Sequence, residues 1–229
     1  MELIKITEND FNDVLTLSKQ MLNHDNFLPN ENTNFVDVLG LYVTSQLVCK
    51  ATNGYFVINE RNEKIALILY SVPNKPKLFS IERDILDIEG NELKKYCQEN
   101  QLSPIESQVI KFEMDTFANT FEMYKKYNEF IKNKSEILLL YVNKNQRAKG
   151  IGKILVYKFY DELFKQNLSE FYLYTTSFFN VNFYEHLKMQ GVSKVIYNKD
   201  NCPSFIKKKI QLPYVGMLFF GKITNRFIV

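Results

Sequence analysis

Residues Ser135 to Gln166, SEILLLYVNKNQRAKGIGKILVYKFYDELFKQ, decide the fold. An apolar run from Ile137 to Val142 reads as a strand. It passes through a polar loop into Arg147-Ala148-Lys149-Gly150-Ile151-Gly152, and an amphipathic helix begins there without a break. Two glycines let main chain approach an anion closely and turn several N–H groups toward it. The positive end of the helix dipole adds to that attraction, and Arg147, Lys149 and Lys153 add side-chain charge. The pattern predicts a pyrophosphate cradle.

Two common phosphate loops do not fit. A Walker loop needs glycine where Arg147 stands and Ser or Thr where Ile154 follows Lys153. A dinucleotide fingerprint needs a small residue where Leu155 stands, three places after Gly152. The loop does resemble the Arg/Gln-x-x-Gly-x-Gly/Ala signature of the GCN5-related N-acetyltransferase (GNAT) family, with Arg147, Gly150 and Gly152 at the signature positions. The resemblance implies a mixed α/β fold, with a mostly antiparallel central sheet flanked by helices. It also implies acetyl-CoA as the cofactor, held by Arg147, Ala148, Lys149, Gly150, Ile151, Gly152 and Lys153. In such proteins the strand before the loop bulges and its main chain receives the pantetheine arm. The matching residues here are Leu140, Tyr141 and Val142.

A second family segment, Asn-x-x-Ala-x-x-Phe/Leu-Tyr-x-x-x-Gly-Phe, is met in part downstream. Phe183-Tyr184 matches its aromatic pair, which makes Tyr184 the implied proton donor to the departing thiolate. Ser177 stands for the asparagine, Asn180 for the alanine and Lys188-Met189 for Gly-Phe. Ser177 and Asn180 are therefore candidates to hydrogen-bond the pantetheine. Without the glycine, the helix is expected to run on to about Gly191. Glu136, at the start of the strand before the loop, matches the offset of a catalytic glutamate in histone-type members and is the candidate base. His24 and His186 carry little weight.

Hydrophobic residues make up 45 % of the 229, enough for a real core. No window approaches the ~18 apolar residues of a membrane span. The start MELIKITEND has acids where a secretory signal would be basic and then apolar, so a cytoplasmic location is expected. Three scattered cysteines and two histidines speak against a metal centre. A net charge of +3 gives no case for a nucleic-acid partner. That charge is uneven: between Ile81 and Glu122 ten acids face four bases.

The periodicities predict a strand over 2–7, helices over 8–22 and 35–50, and a hairpin over 54–72. A helical insert over 81–132 follows, with Gly90 interrupting its first helix and Phe112, Phe117, Phe121 and Tyr124 spaced for burial. Further strands are expected over 170–176, 192–197 and 214–223, with a helix over 179–189 and a bulge permitted by Gly216 and Gly221. The whole chain, 1–229, reads as one acyltransferase domain containing the insert. The resemblance implies transfer of an acetyl or other short acyl group from acyl-CoA to a primary amine, on a small molecule or a peptide, in a ternary complex. The rival readings are a degenerate acyl-CoA sensor, supported by the departures at Ser177 and Lys188, and a structural or partner-binding domain in which the glycine loop is merely a turn. Substrate and oligomeric state are not legible, and a homodimer is compatible with the sequence.

Overall fold

A computed structural model describes residues 1–23, 33–79 and 86–223. In chain order the elements are β1 (Glu2–Lys5), α1 (Phe11–Asn23), α2 (Thr33–Val48), β2 (Asn53–Ile58), β3 (Lys64–Ser71), α3 (Asn91–Glu99), α4 (Pro104–Lys126), α5 (Asn128–Ile131) and β4 (Ser135–Val142). Then come α6 (Ile151–Phe164), β5 (Glu170–Thr176), α7 (Val181–His186), β6 (Gln190–Tyr197), α8 (Ser204–Lys207) and β7 (Tyr214–Lys222). The architecture is the expected mixed α/β one, mostly antiparallel with flanking helices. The described residues divide into two compact units, one drawn from 1–101 and 136–169, the other of 102–135 and 170–223. No helix among the described residues is long and apolar enough to cross a membrane.

In the first unit β1, β2, β3 and β4 pair antiparallel in that order, through registers such as Leu3↔Val57, Phe56↔Leu67 and Leu67↔Tyr141. Strands β2 and β3 are buried almost end to end, which is why YFVI and IALILY read as continuous apolar runs rather than alternating ones. Ile6, Val14, Phe56, Leu67, Leu69, Phe79 and Leu139 build one core cluster. Helix α6 buries Leu155, Val156, Phe159 and Leu163 completely, and Phe159 meets Tyr70 of β3 edge-on at 4.9 Å. Ile151 in the first turn is buried as well, so the helix is fixed to the core from its first residue.

The first half of the insert is shorter than its periodicity suggested. Residues 81–85 lie outside the described part, and α3 starts only at Asn91, with Gly90 left-handed (φ 71°) at its N-cap. The Asp87 carboxylate accepts from the N–H groups of Glu92 (3.0 Å) and Leu93 (3.1 Å), a side-chain cap that stops the helix extending backward. Most of the segment between the first two predicted helices, His24 included, falls outside the described residues.

In the second unit β5 pairs β7 and β7 pairs β6, both antiparallel. Ser103 and Glu106 form a capping box at the start of α4, with Pro104 as its first residue. Of the aromatics predicted to face inward, Phe112 is 4 % exposed but Phe121 is 71 % exposed, so the apolar stripe is narrower than the spacing implied. Gly216 and Gly221 do not make a bulge, because β5 and β7 pair regularly through both. Gly216 instead makes room. A methyl there would lie 2.3 Å from both Asn119 Oδ1 and Tyr174 Oη, the pair joined by a 2.9 Å hydrogen bond.

Candidate functional site

The loop between β4 and α6 builds a surface of main-chain donors. Asn143 ends the strand, and its side chain accepts from Asn145 N–H at 3.2 Å, winding Lys144–Gln146 into a 3₁₀ turn. Ala148 (φ 62°) and Gly150 (φ 77°, ψ 0°) are both left-handed, which curls the chain so that successive amides face outward. Helix α6 follows at once, its first ladder bond running from Ile154 N–H to Gly150 C=O at 3.1 Å. From Ala148 through Lys153, no main-chain N–H has an acceptor among the described residues. A Cβ at Gly150 would meet nothing within 4 Å, so the space before the amides is open.

The basic side chains are less free than their sequence suggests. Arg147 Nε donates to Val142 C=O at 3.1 Å, tying the loop to the end of β4. Lys149 Nζ donates to Gln146 Oε1 at 2.9 Å, while Lys153 Nζ rests 5.2 Å from the centre of the Tyr157 ring. All three side chains reach solvent. The donor set fits a pyrophosphate: clustered amides, a helix N-terminus and three cations.

Leu140, Tyr141 and Val142 stand opposite Ile68, Leu67 and Ala66 of β3. The strand does carry an irregularity, but earlier: Leu139 faces Leu69 while Ile137 faces Tyr70, so Leu138 is the extra residue. Glu136 is 7 % exposed and lies opposite Ser71, a buried carboxylate at the head of β4.

In the second unit the Ser177 hydroxyl accepts from Val215 N–H at 3.0 Å, and Ser177 N–H donates to Val215 C=O at 2.8 Å. Ser177 thus extends the β5–β7 ladder past the strand end, and its hydroxyl keeps its proton and one lone pair to offer a ligand. Asn180 is exposed at the N-cap of α7 and makes no side-chain cap bond. Tyr184 is partly buried, its ring 5.6 Å from that of Phe219, and burial pushes its pKa up to about 12. His186 Nδ1 lies 2.6 Å from Asn182 C=O on the exposed side of the same helix.

Helix α7 stops at His186 and does not run to Gly191. Lys188 adopts the left-handed conformation (φ 61°) in the place of the family glycine. Lys188 N–H donates to Glu185 C=O at 2.9 Å and Met189 N–H to Tyr184 C=O at 3.2 Å, the bond pair of a Schellman ending. Strand β6 then starts at Gln190, two residues earlier than expected.

One residue went unremarked in the sequence. Glu113, on α4, is pushed up to about 7 by burial alone. Its carboxyl has no hydrogen-bond or ion-pair partner among the described residues. In sequence it is one acid among ten in an acidic stretch, and no local signal marks it.

Comparison with known proteins agrees with this geometry. Residues 91–189 match the model of the Acetyltransferase (GNAT) family. Over those residues the chain is similar to a GNAT acetyltransferase domain. No curated protein matches it by sequence. Among solved structures it is similar to the polyamine N-acetyltransferase of Drosophila melanogaster (TM-score 0.55, 9 % identity, 97 % of this chain and 100 % of that one). It is also similar to arylalkylamine N-acetyltransferase 2 of Aedes aegypti (TM-score 0.52, 13 % identity, 97 % and 99 %). A GNAT-family acetyltransferase of Staphylococcus aureus Mu50 gives TM-score 0.50 at 12 % identity, covering 97 % and 99 %. At such identities the likeness establishes the GNAT fold and nothing narrower.

Two stability measurements follow. Lys188→Gly relieves a left-handed L-residue at some cost in unfolded-chain entropy, for a net gain of about 0.5–1 kcal/mol. A thermal melt should therefore rise by roughly 2 °C, and a fall would contradict the Schellman assignment. For Glu113 the folded protein keeps its proton up to about pH 7, while the unfolded chain releases it near the ordinary 4.5. The contribution is intact below the unfolded value and is lost as pH rises through the folded one. Compared with wild type, Glu113→Gln should gain stability between roughly pH 5 and pH 8, by about 3 kcal/mol at most. Urea melts that stay parallel across that range would show that the carboxyl is solvated.

Proposed function

We propose that the chain is an acyltransferase that moves an acetyl or other short acyl group from acyl-CoA to a primary amine in a ternary complex. The observation carrying this reading is the run of unbonded amides from Ala148 to Lys153, at the entrance of a core-anchored helix with open space before Gly150. Arg147, Lys149 and Lys153 complete the cradle for the linked phosphates, and the main chain of Leu140, Tyr141 and Val142 is the proposed track for the pantetheine arm. Bound acyl-CoA supplies a thioester, and transfer to an amine releases a free thiol.

The remaining tasks fall to side chains. Tyr184 is the proposed donor to the departing sulfur. With its pKa raised to about 12 it stays protonated at neutral pH. A phenol that far above an ordinary thiol, whose pKa is about 8.5, serves better as a hydrogen-bond donor than as a complete proton source. Glu136, buried at the head of β4, is the proposed base for the amine. Ser177 and Asn180 are proposed to position the pantetheine through the hydroxyl proton and the amide. The acceptor is proposed to be a small amine, in keeping with the polyamine and arylalkylamine enzymes that share the fold.

Gly150 allows a direct test. Its would-be Cβ faces empty space in the free protein, so Gly150→Val strains the backbone only locally and puts methyl groups where phosphate would approach. By titration calorimetry, wild type should bind acetyl-CoA and Gly150→Val should bind it at least about tenfold more weakly, with unchanged circular dichroism. Unchanged affinity in the variant, or no binding to wild type, would remove the reading.

A further inference from the structure

Strand β7 carries Phe219 between Leu173 of β5 and Gly191 of β6, its direct opposites in the sheet. Opposite residues of an antiparallel pair share a face, so the Phe219 ring lies on the side where a Gly191 side chain would stand. It fills that place. A Cβ at Gly191 would lie 2.8 Å from Phe219 Cε1, 3.0 Å from Cδ1 and 3.2 Å from Cζ. Carbon atoms rest at about 3.5–4.0 Å, so any side chain at 191 has to displace the ring. The backbone of Gly191 is not left-handed, and glycine is needed there for space alone.

The same ring meets Tyr184, centre to centre at 5.6 Å and tilted by 37°. Phe183 packs edge-on against Tyr184 at 5.3 Å. Both are contacts of the Tyr184 ring. Its hydroxyl has no hydrogen-bond partner among the described residues. The main chain of Tyr184 is held through its carbonyl, which accepts from Leu187 N–H at 3.1 Å and Met189 N–H at 3.2 Å. With main chain fixed and hydroxyl unheld, two side-chain torsions remain, and packing on the ring is what sets them. Phe183 is the preceding residue of α7 and shares its helix. Phe219 belongs to the sheet and is 3 % exposed, so it ties the orientation of the Tyr184 ring to β7.

We propose that Phe219, seated on Gly191, is a positioning residue that aims the Tyr184 hydroxyl at the departing sulfur. The proposal rests on the acyltransferase reading, which gives Tyr184 that task. As the thioester C–S bond breaks, its electron pair goes to sulfur, and the Tyr184 O–H meets the new charge with a hydrogen bond while keeping its proton. Support from a rigid second layer is what keeps such a donor in place. A donor held on the sulfur also favours thiolate over thiol in bound CoA.

Ultraviolet titration of the thiolate of CoA bound to the full chain tests this without knowledge of the acceptor. In wild type the bound thiol should ionise at least about half a pH unit below free CoA, an ordinary thiol ionising near 8.5. Tyr184→Phe should abolish that lowering. Gly191→Ala and Phe219→Leu should each remove at least about half of it, with CoA affinity within about twofold of wild type and unchanged circular dichroism. A Phe219 that only fills the core would lower the melting temperature when replaced and leave the thiol titration unmoved. Should Phe219→Leu fail to fold, Gly191→Ala decides alone, because Gly191 is exposed and the change removes no ring. Loss of the lowering in Tyr184→Phe with wild-type titration in Gly191→Ala would overturn the positioning role and leave Tyr184 as donor. Wild-type titration in Tyr184→Phe would instead remove the donor role, and the positioning role with it. No binding of CoA by wild type would remove the acyltransferase reading itself.

Discussion

What the first unit offers to a ligand follows from one conflict in α6. Its apolar face, Leu155, Val156, Phe159 and Leu163, is fully buried, so the helix cannot shift to hide its first turn. The preceding loop, left-handed at Ala148 and Gly150, cannot fold back over it either. The amides of that turn therefore point outward without internal acceptors, and the helix dipole adds positive character at the same place. An arrangement that would be a defect in a closed core is here an exposed set of donors with the polarity an anion needs. Arg147, clasping the Val142 carbonyl, keeps the loop joined to β4 while leaving the rest of its guanidinium for that anion.

The second unit holds its own unmet demands. Along α4 the acids are neutralised one by one, by a cap, by Lys111 and by Lys194, until Glu113 is left. The helix lies over strands rich in tyrosine, so polar atoms are carried inward on aromatic rings and most find each other, as Tyr174 finds Asn119. Thr176 and Glu113 do not.

The strand, loop and helix of the cradle were legible because each leaves a local mark: an apolar run, two glycines and a 3.6-residue stripe. Asparagines at the left-handed positions 62, 74, 133 and 167 also follow local chemistry. The end of α7 was not legible, since Lys188 takes a conformation usually given to glycine or asparagine, and only the Schellman bonds reveal it. Gly90 looked like an interruption and is a cap, because Asp87 three residues earlier sets the start of α3. Phe121 fits the helical stripe yet faces solvent, and Glu113 hides within an acidic stretch yet is desolvated. Both depend on how α4 packs against β6 and β7, a tertiary fact that spacing along one helix does not contain.

Main-chain amide spectra of isotopically labelled protein test the central claim most directly. On addition of acetyl-CoA, the amide signals of Ala148 through Lys153 should shift together, and their hydrogen exchange should slow relative to the free protein. If those signals and exchange rates stay unchanged while acetyl-CoA binds elsewhere or not at all, the entrance of α6 is not the phosphate site and the account fails.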